Sequence, residues 1–199
     1  MEQYPSILGS AKAPLGKPCI AQYKYDGSNL RFEWSPKQGW HKFGTRRQLF
    51  DRSDETYAPA IPIFLEKMGD EIVYRTKQIT KNPQRITAFA EYFGPGSFAG
   101  SHVPGAPMEL RLFDVYLFKK GLLPVKEFMR AYGDLPYAAE IVYEGPLNVS
   151  FINDVRNGKY PVFEGVIAKG ADFMIKIKTD EYFRQLRNKL PVGWEQFGE

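Results

Sequence analysis

The chain has 199 residues, with 27 Lys and Arg against 23 Asp and Glu, a formal net charge of +4 and 43% hydrophobic residues; this excludes a largely disordered chain and supplies enough apolar side chains for a core. A single cysteine, Cys19, excludes an intramolecular disulfide framework, and with only two histidines a zinc site is not expected. No apolar run nears the roughly 20 residues needed to span a bilayer, and Met1 to Ala11 lacks the layout of a signal peptide, so an intracellular, cytoplasmic chain with no membrane partner is expected.

Cys19 to Tyr25 is predicted as a strand, Asp26-Gly27-Ser28 as a tight turn and Leu30 to Trp34 as the next strand. Trp40 to Gly44 gives a third short strand. Ser53 with Asp54 and Glu55 resembles a helix start, and Pro59 and Pro62 delay the regular helix. From Ile63, the apolar residues Phe64, Leu65, Met68, Ile72 and Val73 recur at spacings near three and four, as on one helix face. Arg85 to Phe93 is rich in β-branched and aromatic residues and reads as a strand. It runs into a Gly/Pro-rich stretch from Gly94 to Pro107, either a lid or a plain surface loop. Glu109 to Phe118 is a further strand, with Leu110, Leu112, Asp114, Tyr116 and Phe118 expected on one face. Pro124 to Tyr132 is a short helix, with Pro near its first turn. Val162 to Lys169 and Phe173 to Lys178 form a hairpin around Gly170-Ala171-Asp172, and Thr179 caps a last helix in which Phe183, Leu186 and Leu190 share a face. The sum is an α+β fold of mostly antiparallel sheets with flanking helices.

Chemistry concentrates at two places. Lys24, in Lys24-Tyr25-Asp26-Gly27-Ser28-Asn29, ends an apolar strand just before a glycine turn. Partial desolvation there disfavours the ammonium form and makes a usable nucleophile; an ordinary surface lysine before a turn has the same local pattern. In the last third, Glu164 precedes an apolar strand that ends in Lys169, and Lys176-Ile177-Lys178 puts two ammonium groups on one strand face. Like charges so placed repel unless an anion lies between them, and a phosphate suits that gap; a solvated strand face is the alternative. His41 and His102 stand too far apart, with no ligand cluster beside them, to mark a metal site. Lys119, Lys120, Arg184, Arg187 and Lys189 add charge that would either track a polynucleotide backbone or form solvated faces.

Taken in order, Lys24-Tyr-Asp26-Gly27, Glu91-Tyr-Phe-Gly94, Glu164-Gly165-Val-Ile-Ala-Lys169 and Lys176-Ile-Lys178 resemble the motif set of covalent nucleotidyltransferases, the ATP-dependent ligases and mRNA capping enzymes. The resemblance runs from Gln22 to Lys178. Asn29, where DNA ligases and capping enzymes usually carry Arg, the Thr45-Arg46-Arg47-Gln48 stretch and the Glu91-Tyr-Phe-Gly94 form are most similar to RNA ligases of phage repair and RNA editing. The resemblance implies residues 1–199 as a single adenylyltransferase domain of ATP-grasp-like ligase type, with no OB-fold or other C-terminal domain, and suits a phage origin.

It also implies a mechanism. Lys24 would attack the α-phosphorus of ATP to form a lysyl-AMP, with Lys176 and Lys178 against the phosphate oxygens and Glu164 holding magnesium or manganese. Glu91 would bind the ribose, with a metal-bound water as the alternative, and Arg46 the ribose or an incoming 5′-phosphate; Phe113 would stack on adenine, Gln22 would read its amine, and Asn29 would complete the nucleotide site. The expected partner is nicked or broken RNA with 5′-phosphate and 3′-hydroxyl ends, with an RNA–DNA hybrid or DNA as alternatives and an accessory protein to grip the ends. The competing readings are a minimal DNA ligase, to which Lys24-Tyr-Asp-Gly and Gln22 are equally suited, a capping guanylyltransferase, and a non-catalytic module that binds nucleic-acid ends.

Overall fold

The alternating apolar residues between Cys19 and Phe50 do form strands, but the first two do not pair with each other. In the computed structural model, which describes residues 1–190, 192, 193 and 195, β2 (Pro18–Lys24) and β3 (Ser28–Ser35) belong to different sheets. The chain divides accordingly into two units: Met1–Tyr4 with Gly27–Ala139, and Pro5–Asp26 with Glu140–Glu199.

The first unit is built on β3, β4 (Gly39–Thr45), β5 (Leu49–Phe50), β6 (Ile86–Phe93), β7 (Glu109–Leu117) and β8 (Gly121–Leu122), in the order β5-β4-β3-β6-β7-β8, antiparallel throughout. One face carries Leu30, Phe32, Ala88, Ala90, Leu112 and Val115 into a core with Ile61, Phe64, Met68 and Ile72. The last four come from α1 (Ala60–Phe64), α2 (Asp70–Ile79) and the wide π turn Leu65–Gly69 between them. The Gly69 carbonyl accepts from Trp40 Nε1 at 3.1 Å. α3 (Val125–Tyr132) adds Phe128 and Tyr132 to the core. The predicted face of β7 breaks at a bulge: Leu112 pairs with Ala90 and Asp114 with Phe89, which leaves Phe113 between them. Leu110 and Leu112 therefore share the core with Val115 and Leu117, and not with Asp114, Tyr116 and Phe118.

The second unit holds β1 (Leu8–Gly9), β2, β9 (Ile141–Pro146), β10 (Gly165–Lys169) and β11 (Met174–Lys178), in the order β1-β11-β10-β2-β9. All pairs are antiparallel except β1 with β11. Cys19, Ala21, Val166, Ala168, Ile175 and Ile177 point to one side, onto Phe151, Ile152 and Val155 of α4 (Val149–Arg156). Neither β9 nor α4 was expected from the sequence. Thr179 caps α5 (Asp180–Lys189) as predicted, but the buried face is Tyr182 and Leu186, with Phe183 and Leu190 half-buried. Among the described residues no helix is long and apolar enough to cross a membrane.

Candidate active site

Period-two alternation puts Gln22 and Lys24 of β2, Ile167 and Lys169 of β10, and Lys176 and Lys178 of β11 on the sheet face opposite the α4 core. Registers align them in rows. Lys24, Gly165 and Lys178 form one row; Gln22, Ile167 and Lys176 form the next. Gly165 has φ of +148°, an angle side chains rarely adopt, and a methyl there would collide with the Ile177 carbonyl.

Glu164, the residue before that glycine, lies between the two lysines of the first row. Lys24 Nζ is 2.7 Å from Glu164 Oε2, and Lys178 Nζ is 2.8 Å from Oε1. Glu164 and Lys178 are buried, whereas the Lys24 side chain keeps 23% of its surface exposed. Burial pushes the Lys178 ammonium below the ordinary lysine value; Glu164 opposes that shift and Lys24 adds to it. One carboxylate thus bridges two ammonium groups, and Asp26 adds a second negative charge toward Lys178.

The strand–helix junction fixes this geometry. The Thr179 N–H donates to the Glu164 carbonyl at 3.0 Å, and the Thr179 hydroxyl donates to the Phe163 carbonyl at 2.7 Å. Thr179 Oγ1 also accepts the Tyr182 N–H. Tyr182 then makes two contacts that the sequence did not reveal: its ring lies 4.7 Å from Lys178 Nζ, and its hydroxyl donates to Asp26 Oδ1 at 3.1 Å. Its place in the first turn after Lys176-Ile-Lys178 was the available signal.

The other predicted residues lie in the first unit. Asn29 and Glu91 face each other in register on β3 and β6. Arg46 is exposed on the β4–β5 turn, where Thr45 Oγ1 accepts the Arg47 and Gln48 N–H groups. Phe113, at the β7 bulge, meets Tyr4 edge-on at 5.0 Å and stacks at 6.5 Å on Phe89. Tyr4 donates in turn to Asp114. The loop after β6 is held by His102, whose Nε2 is 2.9 Å from Ser28 Oγ and whose Nδ1 is 3.0 Å from Ser97 Oγ. Burial lowers the His102 pKa, which favours the neutral ring.

Among the described residues no group of three or more His, Cys, Asp or Glu could cage a metal. Glu164, one carboxylate facing two lysines, fits a divalent ion that arrives on nucleotide phosphates and does not fit a resident one.

No family profile and no curated protein matches the chain. Solved structures do. An RNA ligase of Naegleria gruberi with PPi matches with a TM-score of 0.65 at 15% identity, over 94% of this chain and 58% of that one. A mutant of a Naegleria gruberi RNA ligase with ATP and Mn matches with a TM-score of 0.63 at 14% identity, over 93% and 58%. An archaeal ATP-dependent RNA ligase matches with a TM-score of 0.65 at 14% identity, over 100% and 58%. This chain spans 58% of the length of these structures and has the α+β fold of the part of the RNA ligases that it covers.

Proposed function

We propose that this chain is an ATP-dependent adenylyltransferase that works as an RNA ligase, with Lys24 as the nucleophile. The observation that carries the reading is the bridge of Lys24, Glu164 and Lys178 beside the glycine that lets their strands close up. The motif order and the RNA-ligase fold support the same reading.

In step one, Lys24 Nζ attacks the α-phosphorus of ATP, the bond to the β-phosphate breaks, and pyrophosphate leaves with its electron pair. Nζ must first lose a proton, which the exposed part of the Lys24 side chain can pass to water, leaving Glu164 ionised for the cation. Lys178 and Lys176 stabilise the charge that builds on the α-phosphate oxygens. Glu164 would hold the magnesium or manganese ion that arrives with the nucleotide, which supplies neutralisation of phosphate charge. In step two, AMP moves from Lys24 to the 5′-phosphate of an RNA end; in step three, a 3′-hydroxyl displaces AMP and the strand is sealed. Glu91 on the ribose, Phe113 on adenine, Gln22 and Asn29 at the nucleotide and Arg46 at the 5′-phosphate complete the proposal.

The test is incubation with α-labelled ATP or GTP and magnesium, followed by denaturing electrophoresis. The expected result is a band labelled by ATP alone and absent in Lys24→Ala. A GTP-specific band would move the reading to a capping activity. A label that survives Lys24→Ala would overturn the nucleophile. Nicked RNA, RNA–DNA hybrid and DNA duplexes then separate an RNA ligase from a DNA ligase.

A further inference from the structure

We infer that an open groove at the β4–β5 edge of the first unit binds single-stranded RNA next to its end. The inference rests on the ligase reading for the identity of the polynucleotide and adds where the strand is gripped. The groove measures about 710 Å3, and its lining includes Lys42, Phe43, Leu49, Phe50, Asp51 and Arg52. Its floor is apolar: Phe43 is half-buried, and Leu49 has 59% of its surface exposed. Its rim is cationic. Lys42 and Arg52 are exposed in the lining, and Arg46 and Arg47 are exposed on the turn that joins the two lining strands.

Two of the cations here, Arg47 and Arg52, differ from several elsewhere on the surface, while Lys42 is paired with Glu33 at 3.4 Å. Arg184 is paired with Glu181, Lys159 with Asp154 at 2.6 Å, and Lys120 with Glu127 at 3.6 Å. Arg47 and Arg52 have no carboxylate partner among the described residues. The groove's own carboxylate, Asp51, accepts from the Ser53 N–H at 2.8 Å and the Ser53 hydroxyl at 2.6 Å, and these bonds hold it below the usual carboxylate range. Guanidinium groups fit phosphate oxygens through paired N–H donors. An exposed apolar floor between them suits unstacked bases, which a duplex would keep inside its helix.

The experiment measures binding of a fluorescein-labelled, 5′-phosphorylated single-stranded RNA by anisotropy across a salt series. Lysyl-AMP formation is followed in parallel on the same proteins. For Arg47→Glu/Arg52→Glu the expected result is binding weakened about tenfold or more at low salt. The slope of log affinity against log salt should also fall by about 1.4, since two phosphate contacts at ~0.7 each are lost. Leu49→Ser should weaken binding with the slope unchanged. Lys119→Glu/Lys120→Glu, the same charge change on another surface, should bind as wild type does, and unchanged thermal unfolding establishes that each variant is folded. Wild-type affinity in the Arg47/Arg52 variant, an equal loss in the Lys119/Lys120 variant, or preference for a blunt duplex over the single strand would each overturn the inference. Failure of the ligase reading shows separately, as absence of lysyl-AMP in the wild-type protein.

Discussion

Each unit has a sheet with one apolar face and one polar face, and the two polar faces balance their charge differently. In the first unit, buried Glu33 is met by Lys42 at 3.4 Å and by His41 and Arg85 at 3.8 Å. Arg31 donates to the Thr45 carbonyl at 2.7 Å and the Glu2 carbonyl at 3.0 Å, and Asp114 takes the Tyr4 hydroxyl. In the second unit one carboxylate, Glu164, lies between two ammonium groups, one of them buried. A face whose charges are answered locally holds a fold together. Around Glu33 the partly exposed Lys42 and Arg85 can turn to water, whereas buried Lys178 has its charge answered inside the fold by Glu164, so the second sheet is the more sensitive to loss of its carboxylate.

Removing the shared carboxylate should produce the largest effect. Glu164→Ala leaves Lys178 buried beside another cation, so a loss of about 3–5 kcal/mol is expected in urea denaturation, together with loss of labelling. Glu33→Ala should cost less, about 1–3 kcal/mol, because Lys42 and Arg85 can turn to water and only the buried Met1 ammonium, 3.4 Å from Glu33, is left without its carboxylate. Added inorganic phosphate should recover part of the Glu164→Ala loss and leave Glu33→Ala unchanged. Equal losses, or no response to phosphate, would break the comparison.

Tyr182 sharpens it at an intermediate scale, as a positioning residue acting through Lys178. Tyr182→Leu removes the ring from Lys178 and the donor from Asp26, and should cost about 2 kcal/mol; Tyr182→Phe keeps the ring and should cost about 1 kcal/mol. The pH profile of labelling separates positioning from mere stability. In the proposed mechanism Lys178 holds phosphate as the ammonium, so on that reading labelling should fall on the alkaline side below the ordinary lysine value. Rehydration in Tyr182→Leu should move that limb to higher pH, whereas Tyr182→Phe should leave it in place. An unmoved limb in Tyr182→Leu would assign Tyr182 to stability alone.

The parts of this site that the sequence revealed are those set by local rules. Period two was enough to put Lys176 and Lys178 on one face, and Thr179 followed by two acids was enough to cap α5. Tyr182 was hidden because its partner Asp26 lies 156 residues away. β9 was hidden by Glu144, Gly145 and Pro146, which suit an edge strand but weaken the strand pattern. α4 mixes β-branched residues with Asn and Asp, and it is packing of Phe151, Ile152 and Val155 that makes it a helix. The bulge at Phe113 came from no local signal, since one unpaired residue reverses the alternation only once β6 is alongside.

The smallest effect is expected in mild alkali, where the two units should respond in different order. In the first unit, burial pushes Tyr132 and Tyr137 up to about 12. Their folded values exceed the unfolded value near ~10, so the stability they contribute is present below pH ~10 and is lost as pH rises toward about 12. In the second unit shifts of both signs occur, with burial also raising Tyr143 and Tyr160. Burial raises Cys19 to about 11, so its contribution falls away between its ordinary value of 9.0 and about 11. Lys178 is lowered, so the unfolded chain binds the extra proton, and stability rises with pH between its folded value and 10.5. In mild alkali the first unit loses through its tyrosines, whereas in the second Lys178 offsets part of what Cys19, Tyr143 and Tyr160 lose. The resolved ring signals of Tyr132 and Tyr137 in ring-labelled protein, followed alongside the reaction of Cys19 with a thiol reagent, read both units in one titration. Tyrosine ionisation should run ahead of Cys19 exposure, and Lys178→Met should erase the lag, because the compensating proton is gone. Cys19 reacting first in the wild-type protein would mean that the charge-rich sheet, and not its balanced counterpart, is the weaker one in alkali.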